Sequence, residues 1–310
     1  MKKSSVYDEN LKKSFKYNSI PGFGIILGGA FIAGCSIAAE SKRELGSLRK
    51  TCYVVESANM PDSLDGKKIC FFSDFHEAEN GKLNNKILEF IDEENPEIVI
   101  CGGDLINGKD NIRKFKPAVS LLNNISSKWI TIYSIGNHER RLIDNVYGTK
   151  HVWNEFLKEI DKKIKILDNT SISFNNESEI IGLNLPLECY KRNGINGFSS
   201  CNIKKYIGNK NKNMYSILLA HDPKYMEAYL EWGADLVLSG HYHGGIVRIP
   251  KVGGIVSPHF SLFPEFDYGI KKIGNETAVI TNGIGQHTIK IRIGNIPELV
   301  FICFRKGADA

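Results

Sequence analysis

The feature that most constrains this chain is a set of five short polar motifs, each placed at the end of an apolar, strand-like run. In order they read Asp74-Phe75-His76, Gly103-Asp104, Gly136-Asn137-His138-Glu139, Ala220-His221-Asp222 and Gly240-His241-Tyr242-His243. Five of the eight histidines fall inside these motifs, and imidazole is the commonest side-chain ligand of a catalytic metal. Together the motifs offer three carboxylate or amide oxygens (Asp74, Asp104, Asn137) and five imidazoles, with no cysteine. That mixture points to a hydrolytic metal centre rather than a structural zinc site.

The runs between the motifs alternate in type. Residues 68–73 read as a buried strand ending at Asp74, and Leu83, Ile87, Leu88 and Ile91 then recur at helical spacing. Residues 97–101 form a second apolar strand, Phe115, Val119, Leu122 and Ile125 a second helix, and residues 129–135 a third strand. A β-α-β-α-β order implies parallel strands with right-handed crossovers, and open α/β sheets take their ligands at the carboxyl ends of strands. Residues 215–220 deliver His221, and residues 235–239 deliver His241 and His243. In the last part of the chain, residues 277–280, 288–293 and 299–304 alternate between glycine-containing turns, which suggests antiparallel strands of a second sheet. The Asn/Lys-rich stretch 191–213 reads as a surface insert that could serve as a lid.

Composition narrows the classes. With 310 residues, 42% apolar and 24% charged, the chain suits one large α/β domain or two small ones, and neither disorder nor a polytopic membrane protein. The net charge of +5 is spread along the chain, and there is no basic, aromatic-laced stripe, so no nucleic-acid partner is expected. The seven cysteines include no C-x-x-C spacing. Cys70, Cys101 and Cys303 fall in strand-like runs, whereas Cys189 and Cys201 lie in a polar region where they could pair.

The N-terminus reads as a basic tail (1–18) followed by a transmembrane anchor or signal segment (19–39), a linker and entry to the domain (40–66), and the domain itself (67–310). Residues 17–39 carry no charge, and about twenty such residues in a helix rise about 30 Å, the thickness of the hydrocarbon layer. Ile32-Ala33-Gly34-Cys35 also resembles a lipobox, which would make Cys35 a lipidated N-terminus. Basic residues flank the segment on both sides, close to a tie under the positive-inside rule. A short leading tail and a large following domain favour an extracytoplasmic domain, with a cytoplasmic one as the alternative.

Two divalent metals about 3.5–4 Å apart can hold a bridging hydroxide and a phosphoryl oxygen for in-line attack. Such a pair needs a shared ligand, and the two oxygens of a carboxylate suit that. Asp104 follows a double glycine that would let the backbone approach closely. Asp74-x-His76 and His241-x-His243 would each turn two side chains to one side of an extended backbone. Asn137 offers a neutral oxygen, and the adjacent His138 could stay off the metals and donate a proton to the leaving group. Each motif alone is ordinary: Gly-Asp is commonly a turn, and a lone His221 is commonly a satisfied polar residue. Five in succession after apolar strands are not. Outside the pattern, His151 opens a helix at the surface, and His259 and His287 fall in late loops.

In this order the motifs resemble the calcineurin-like metallophosphoesterases, whose pattern is D-x-H, G-D, G-N-H-[DE], H and G-H-x-H. The resemblance runs from about Lys67 to the C-terminus. It implies an α/β fold, a four-layer α/β/β/α sandwich of two mixed sheets with a dinuclear site at strand ends. It further implies that Asp74, His76 and His243 bind one metal, Asn137, His221 and His241 the other, and Asp104 both. His138 would be the catalytic histidine, Glu139 its orienting neighbour, and the ions Mn, Fe or Zn. Residues 244–250 (GGIVRIP), Leu262-Phe263-Pro264, Tyr268-Gly269 and Pro297-Glu298 look like the bacterial membrane-associated or exported phosphodiesterase branch. Asn107 stands where many relatives have an aspartate, and Asn282 where this branch often has an arginine, which removes an expected phosphate contact. The expected activity is metal-dependent hydrolysis of phosphodiesters of lipid or envelope origin. The alternatives are a phosphomonoesterase or nucleotide phosphohydrolase on the same site, and a non-enzymatic metal-binding scaffold, against which the seven retained ligands argue.

Overall fold

The computed structural model describes residues 34–76, 81–109, 112–245, 248–249, 253–254, 264–285 and 291–307. The chain divides into two compact units, Met1–Ala39 and Glu40–Ala310. Of the first, only residues 34–39 are described, and they are helical. The rest of the expected anchor lies outside the described residues. Among the described residues, no helix is long and apolar enough to cross a membrane.

In the second unit the strands are β1 (Arg49–Ser57), β2 (Lys68–Phe72), β3 (Ile98–Cys101), β4 (Ile130–Ser134), β5 (Lys165–Leu167), β6 (Thr170–Asn175) and β7 (Ser178–Leu183). They continue with β8 (Tyr215–Ala220), β9 (Leu236–Ser239), β10 (Arg248–Ile249), β11 (Gly253–Gly254), β12 (Gly269–Ile273), β13 (Glu276–Ile280) and β14 (Glu298–Lys306). The helices are α1 (residues 40–45, the part within this unit), α2 (Gly81–Glu94), α3 (Lys116–Ser126), α4 (Asn137–Ile143), α5 (Lys150–Glu159), α6 (Ser200–Ile207) and α7 (Met226–Trp232).

Two six-stranded mixed sheets result, ordered β1-β14-β2-β3-β4-β5 and β12-β13-β9-β8-β7-β6. Period-two alternation sorts their apolar side chains into layers. In β2, Ile69 and Phe71 point between the sheets, where they meet Ile217, Leu219 and Leu238, while Cys70 and Phe72 face Ile87, Ile91 and Leu121 of α2 and α3. In β8, Leu218 and Ala220 face Ile203, Tyr229 and Trp232 of α6 and α7. Strands buried on both faces need continuous apolar runs, and β2, β3, β8 and β9 have them. The layering is therefore α/β/β/α, as the family resemblance implies.

Three expectations change. Residues 299–304 do not join the second sheet; β14 lies in the first, parallel to β1 and antiparallel to β2. Its run is apolar on both faces, with Leu299 and Phe301 toward the helices and Val300, Ile302 and Phe304 between the sheets, so it takes an interior position and leaves the edge to β1. Within the stretch read as linker and entry, β1 is that edge strand, in register from Arg49 opposite Glu298 to Ser57 opposite Lys306. The 191–213 stretch is not a lid: α6 packs as part of the outer layer, Ile203 is buried, and the Trp232 Nε1–H donates to Gly208 O at 2.8 Å. Cys189 is buried and Cys201 exposed, and both are free thiols.

The placement of β14 has a measurable consequence. Phe301→Ala should cost about 3–5 kcal/mol of unfolding free energy, whereas Val54→Ala on the exposed side of β1 should cost well under that. Urea denaturation of the two variants checks the difference.

Candidate metal centre

The loops that leave β2, β3 and β9 carry ligands on an uncommon backbone. Among the described residues, eight that are not glycine have positive φ, and five of them are Asp74 (55°), His76 (45°), Asp104 (52°), His241 (63°) and His243 (50°). This left-handed region is unfavourable for residues with a β-carbon and is found where the surroundings enforce it. The Asp-x-His and His-x-His pairs therefore converge by turning, not by the extended alternation that their spacing suggests. Cross-loop hydrogen bonds hold the turns. Asp74 N–H donates to Gly103 O (3.0 Å), His76 N–H to Asp104 O (3.1 Å) and Gly240 N–H to His221 O (3.0 Å). His241 N–H donates to Asp74 Oδ2 across the two sheets at 3.0 Å. The double glycine serves loop packing: at Gly103 (φ 101°) a β-carbon would lie 2.6 Å from Gly136 N.

The donor atoms gather in two sets. His243 Nε2 is 3.3 Å from His76 Nε2 and 3.4 Å from Asp74 Oδ1. His221 Nε2 is 3.0 Å from Asp104 Oδ2 and 3.8 Å from Asp74 Oδ1, and His76 Nε2 is 3.9 Å from the same Asp104 oxygen. Ligand atoms of Asp74, His76 and His243 form one close group and those of Asp104, His221 and His241 another, and a third group, His76, Asp104 and His138, joins the two. Asn137 Oδ1 and His243 Nδ1 are buried without a hydrogen-bond partner among the described residues. Donors that share one ion with bonds of about 2.0–2.2 Å stand about 3 Å apart, so the residues present fit a pair of divalent ions. Asp104 does not offer one oxygen to each set, as two carboxylate oxygens had suggested. Its Oδ1 accepts the His138 N–H at 2.8 Å, and Oδ2 alone lies between the sets.

The profile of the calcineurin-like phosphoesterase family matches residues 67–245. The chain belongs to this family. It is similar to the metallophosphoesterase YkuE of Bacillus subtilis, described as uncharacterized, at 24% identity over 93% of this chain and 97% of that one. It is also similar to the phosphodiesterase YaeI of Escherichia coli, at 26% identity over 76% of this chain and 81% of that one. Among solved structures, TT1561 of Thermus thermophilus matches with a TM-score of 0.42 and 11% identity, covering 70% of this chain and 90% of that one. Membership makes the protein a hydrolase acting on phosphoester bonds, with a dinuclear-metal-dependent site.

Within this family site the imidazoles differ in what their Nδ1 atoms meet. His221 Nδ1 faces Gly102 O (2.9 Å) and His76 Nδ1 faces Asn107 Oδ1 (3.0 Å). Both oxygens can only accept, so these rings carry their proton on Nδ1 when neutral and present Nε2 to the site. His138 is the reverse: Gly108 N–H donates to its Nδ1 at 3.0 Å. Asn107, noted above only as a departure, is thus a partner that orients His76. Glu139 does not orient the His138 ring. Its carboxylate accepts N–H groups from Asp104 (2.9 Å), Leu105 (2.8 Å), Ile106 (3.2 Å) and Gly136 (2.9 Å), fastening the β3 loop to the start of α4.

Residues that the motifs do not announce complete the surroundings. Tyr190 is buried, with its ring 5.6 Å from that of His241. Arg141 Nη1 lies 3.1 Å from His138 Nε2. Arg292 is fully buried and donates to the carbonyls of Asn282 (2.9 Å), Gly283 (3.1 Å) and Gly285 (2.9 Å). Asn282 itself turns away from the site, its Nδ2 donating to Asn295 Oδ1 and Ile296 O. His151 is exposed at the start of α5, and His259 and His287 lie outside the described residues.

The metal-free electrostatics favour a cation. Burial pushes Asp74 up and the Asp104 carboxylate adds to this, against the His221 imidazole, leaving it at about 6. Burial also pushes Asp104 up, but the His221 and His138 rings outweigh it and hold the carboxyl well below its usual range. Burial pushes His221 down, yet Asp104 and Asp74 raise it to about 10. At neutral pH the metal-free His221 therefore holds a proton that a metal ligand must lose. Loading with Mn or Zn should release about one proton or more, measured by calorimetry in buffers of different ionisation enthalpy. Apparent affinity should rise from pH 6.0 to 7.5; a flat profile contradicts this assignment.

Proposed function

We propose that the protein is a phosphodiesterase in which His138 protonates the leaving oxygen and Arg141 binds the phosphoryl group. Two divalent ions (Mn, Fe or Zn), held by Asp74, His76 and His243 on one side, by Asn137, His221 and His241 on the other and by Asp104 between, would activate water and withdraw charge from phosphoryl oxygens. The observation that carries the reading is the Gly108 N–H on His138 Nδ1. A neutral imidazole whose Nδ1 accepts must bear its proton on Nε2, the form required of a general acid. Arg141 Nη1, always a donor, then faces another N–H at 3.1 Å. Two donors so placed are reconciled by an acceptor oxygen near both, and a phosphoester supplies one.

A single guanidinium supports a diester over a monoester, since a diester carries one negative charge and a monoester up to two. Among the described residues Arg141 has no carboxylate partner that would compete for it. The lipid or envelope origin of the substrate is supported by the uncharged stretch before residue 40 and by the rim beside His138. Val146 and Tyr147 are each 47% exposed there, and Lys109 Nζ lies 5.0 Å from the Tyr147 ring centre. A rim both apolar and cationic suits an anionic lipid headgroup. On this reading residues 19–39 tether the domain to the membrane, on its extracytoplasmic side.

His138→Ala should keep both metals by elemental analysis and lose about 10²–10⁴-fold in kcat. The loss should be larger for alkyl than for nitrophenyl leaving groups, because a good leaving group needs no proton. Equal losses would remove His138 from the acid role. Arg141→Ala should raise KM for a bis-aryl phosphate about ten- to a hundredfold, the size of one hydrogen bond to a charged group. Steady-state assays of the metal-loaded full chain should favour the diester over the matching monoester; the opposite preference would point to the phosphomonoesterase alternative.

A further inference from the structure

Helix α1 follows directly on the uncharged N-terminal stretch, and two of its polar side chains are buried: Ser41 is 5% exposed and Glu44 3%. The Glu44 carboxylate accepts two consecutive backbone N–H groups, Gly294 on Oε1 and Asn295 on Oε2, both at 3.0 Å. Gly294 has φ 66°, a left-handed residue that turns successive N–H groups toward one anion. Ser41 Oγ accepts the Arg292 N–H at 3.0 Å. A buried carboxylate with two such donors is a strong, charge-assisted fixture.

From this fixture two arms run to the site. In the first, Asn295 Nδ2 donates to His243 O (2.6 Å) and Gly245 O (2.7 Å), gripping the loop on both sides of Gly244. In the second, the Arg292 guanidinium holds the carbonyls of Gly283 and Gly285. That loop in turn donates Ile284 N–H to Ser73 O (3.1 Å) and Gly285 N–H to Asp74 O (2.7 Å). Both arms end on ligands of one set, Asp74 and His243, whose left-handed backbones need support.

We infer that Glu44 is a positioning residue for the metal position formed by Asp74, His76 and His243, so that the occupancy of this position depends on the segment next to the apolar stretch. The inference rests on the reading of that cluster as a metal site. It makes residues 41–44 part of the site's support rather than a spacer, and any form of the protein lacking them would hold that ion poorly.

The test is a Co²⁺ titration of the metal-free full chain, followed by visible absorption, with circular dichroism to report folding. Wild type should take up two equivalents. Glu44→Ala should bind one equivalent as wild type does and the other at least tenfold more weakly, with the spectrum of the remaining ion unchanged. Glu44→Gln keeps the volume but turns an amide donor toward one N–H, and should show the same selective loss if the alanine variant does not fold. Glu40→Ala, on the exposed face of the same helix, should bind both ions normally. Two equivalents at wild-type affinity in both Glu44 variants would overturn the inference and leave the metal site intact. Equal weakening of both ions would also overturn it, because the role would then not be specific to one position. A wild-type chain that takes up no ion would remove the site reading itself.

Discussion

The Glu139 carboxylate is the interaction on which the site depends. It accepts four backbone N–H groups, three from residues 104–106 and one from Gly136, and so binds the loop after β3 to the loop after β4. Burial and the Asp104 carboxylate push its own carboxyl up, to about 7, while the N–H groups pull the other way. Without that anion, Asp104 would have to hold a left-handed turn (φ 52°) unaided. Residues forced into such regions cost about 1–3 kcal/mol each. Five of them at the candidate ligands approach the whole net stability of a domain, about 5–15 kcal/mol. The buried hydrogen bonds around them are therefore as much a part of the site as the ligands.

The sandwich explains why the strain can be confined to one rim. Continuous apolar runs bury β2, β3, β8 and β9 on both faces and fix their ends. The chain is then free to leave each strand by a tight turn, and the turns of the two sheets meet, as in the bond from His241 N–H to Asp74. What meets there is electrostatically unfinished. Asp74 and His221 are pushed up, whereas Asp104 and His243 are held down, His243 by burial and the neighbouring His76 imidazole. Neighbours driven in opposite directions mark a site built for something charged.

Much of this was legible in the residues. The ligand-bearing strands announced themselves because burial on both faces demands unbroken apolar runs, and each run stops at its motif. That the polar motifs sit at the strand ends was legible for the same reason. Two geometric readings failed where local pattern does not encode backbone sign: neither Asp74-x-His76 nor His241-x-His243 shows from spacing that its ends are left-handed. The sheet of β14 was not legible either, since a run apolar on both faces fits the middle of any sheet. Glu44, Arg292 and Asn295 gave no signal. They are single polar residues joined over about 250 positions (|i−j| = 250 and 251), and only the folded chain brings a glutamate at the end of α1 to Gly294 and Asn295.

The same side chain does opposite work in this site because of its unseen nitrogen. His76 and His221 each place Nδ1 against an oxygen that can only accept, so that once the ring is neutral Nε2 turns its lone pair toward the ligand set. His138 places Nδ1 against the Gly108 N–H, which leaves Nε2 with the proton. No property of histidine decides between the two outcomes; the backbone polarity behind each ring does. Gly108 is packed for this, since a β-carbon there would meet Arg141 Cβ at 2.9 Å and His138 O at 3.0 Å. A side chain at 108 would have to push the loop outward and take its N–H from His138. The ring could then turn or exchange its proton, and His138 would become one more ligand-type imidazole beside Asp104, unfit for the acid role proposed for it.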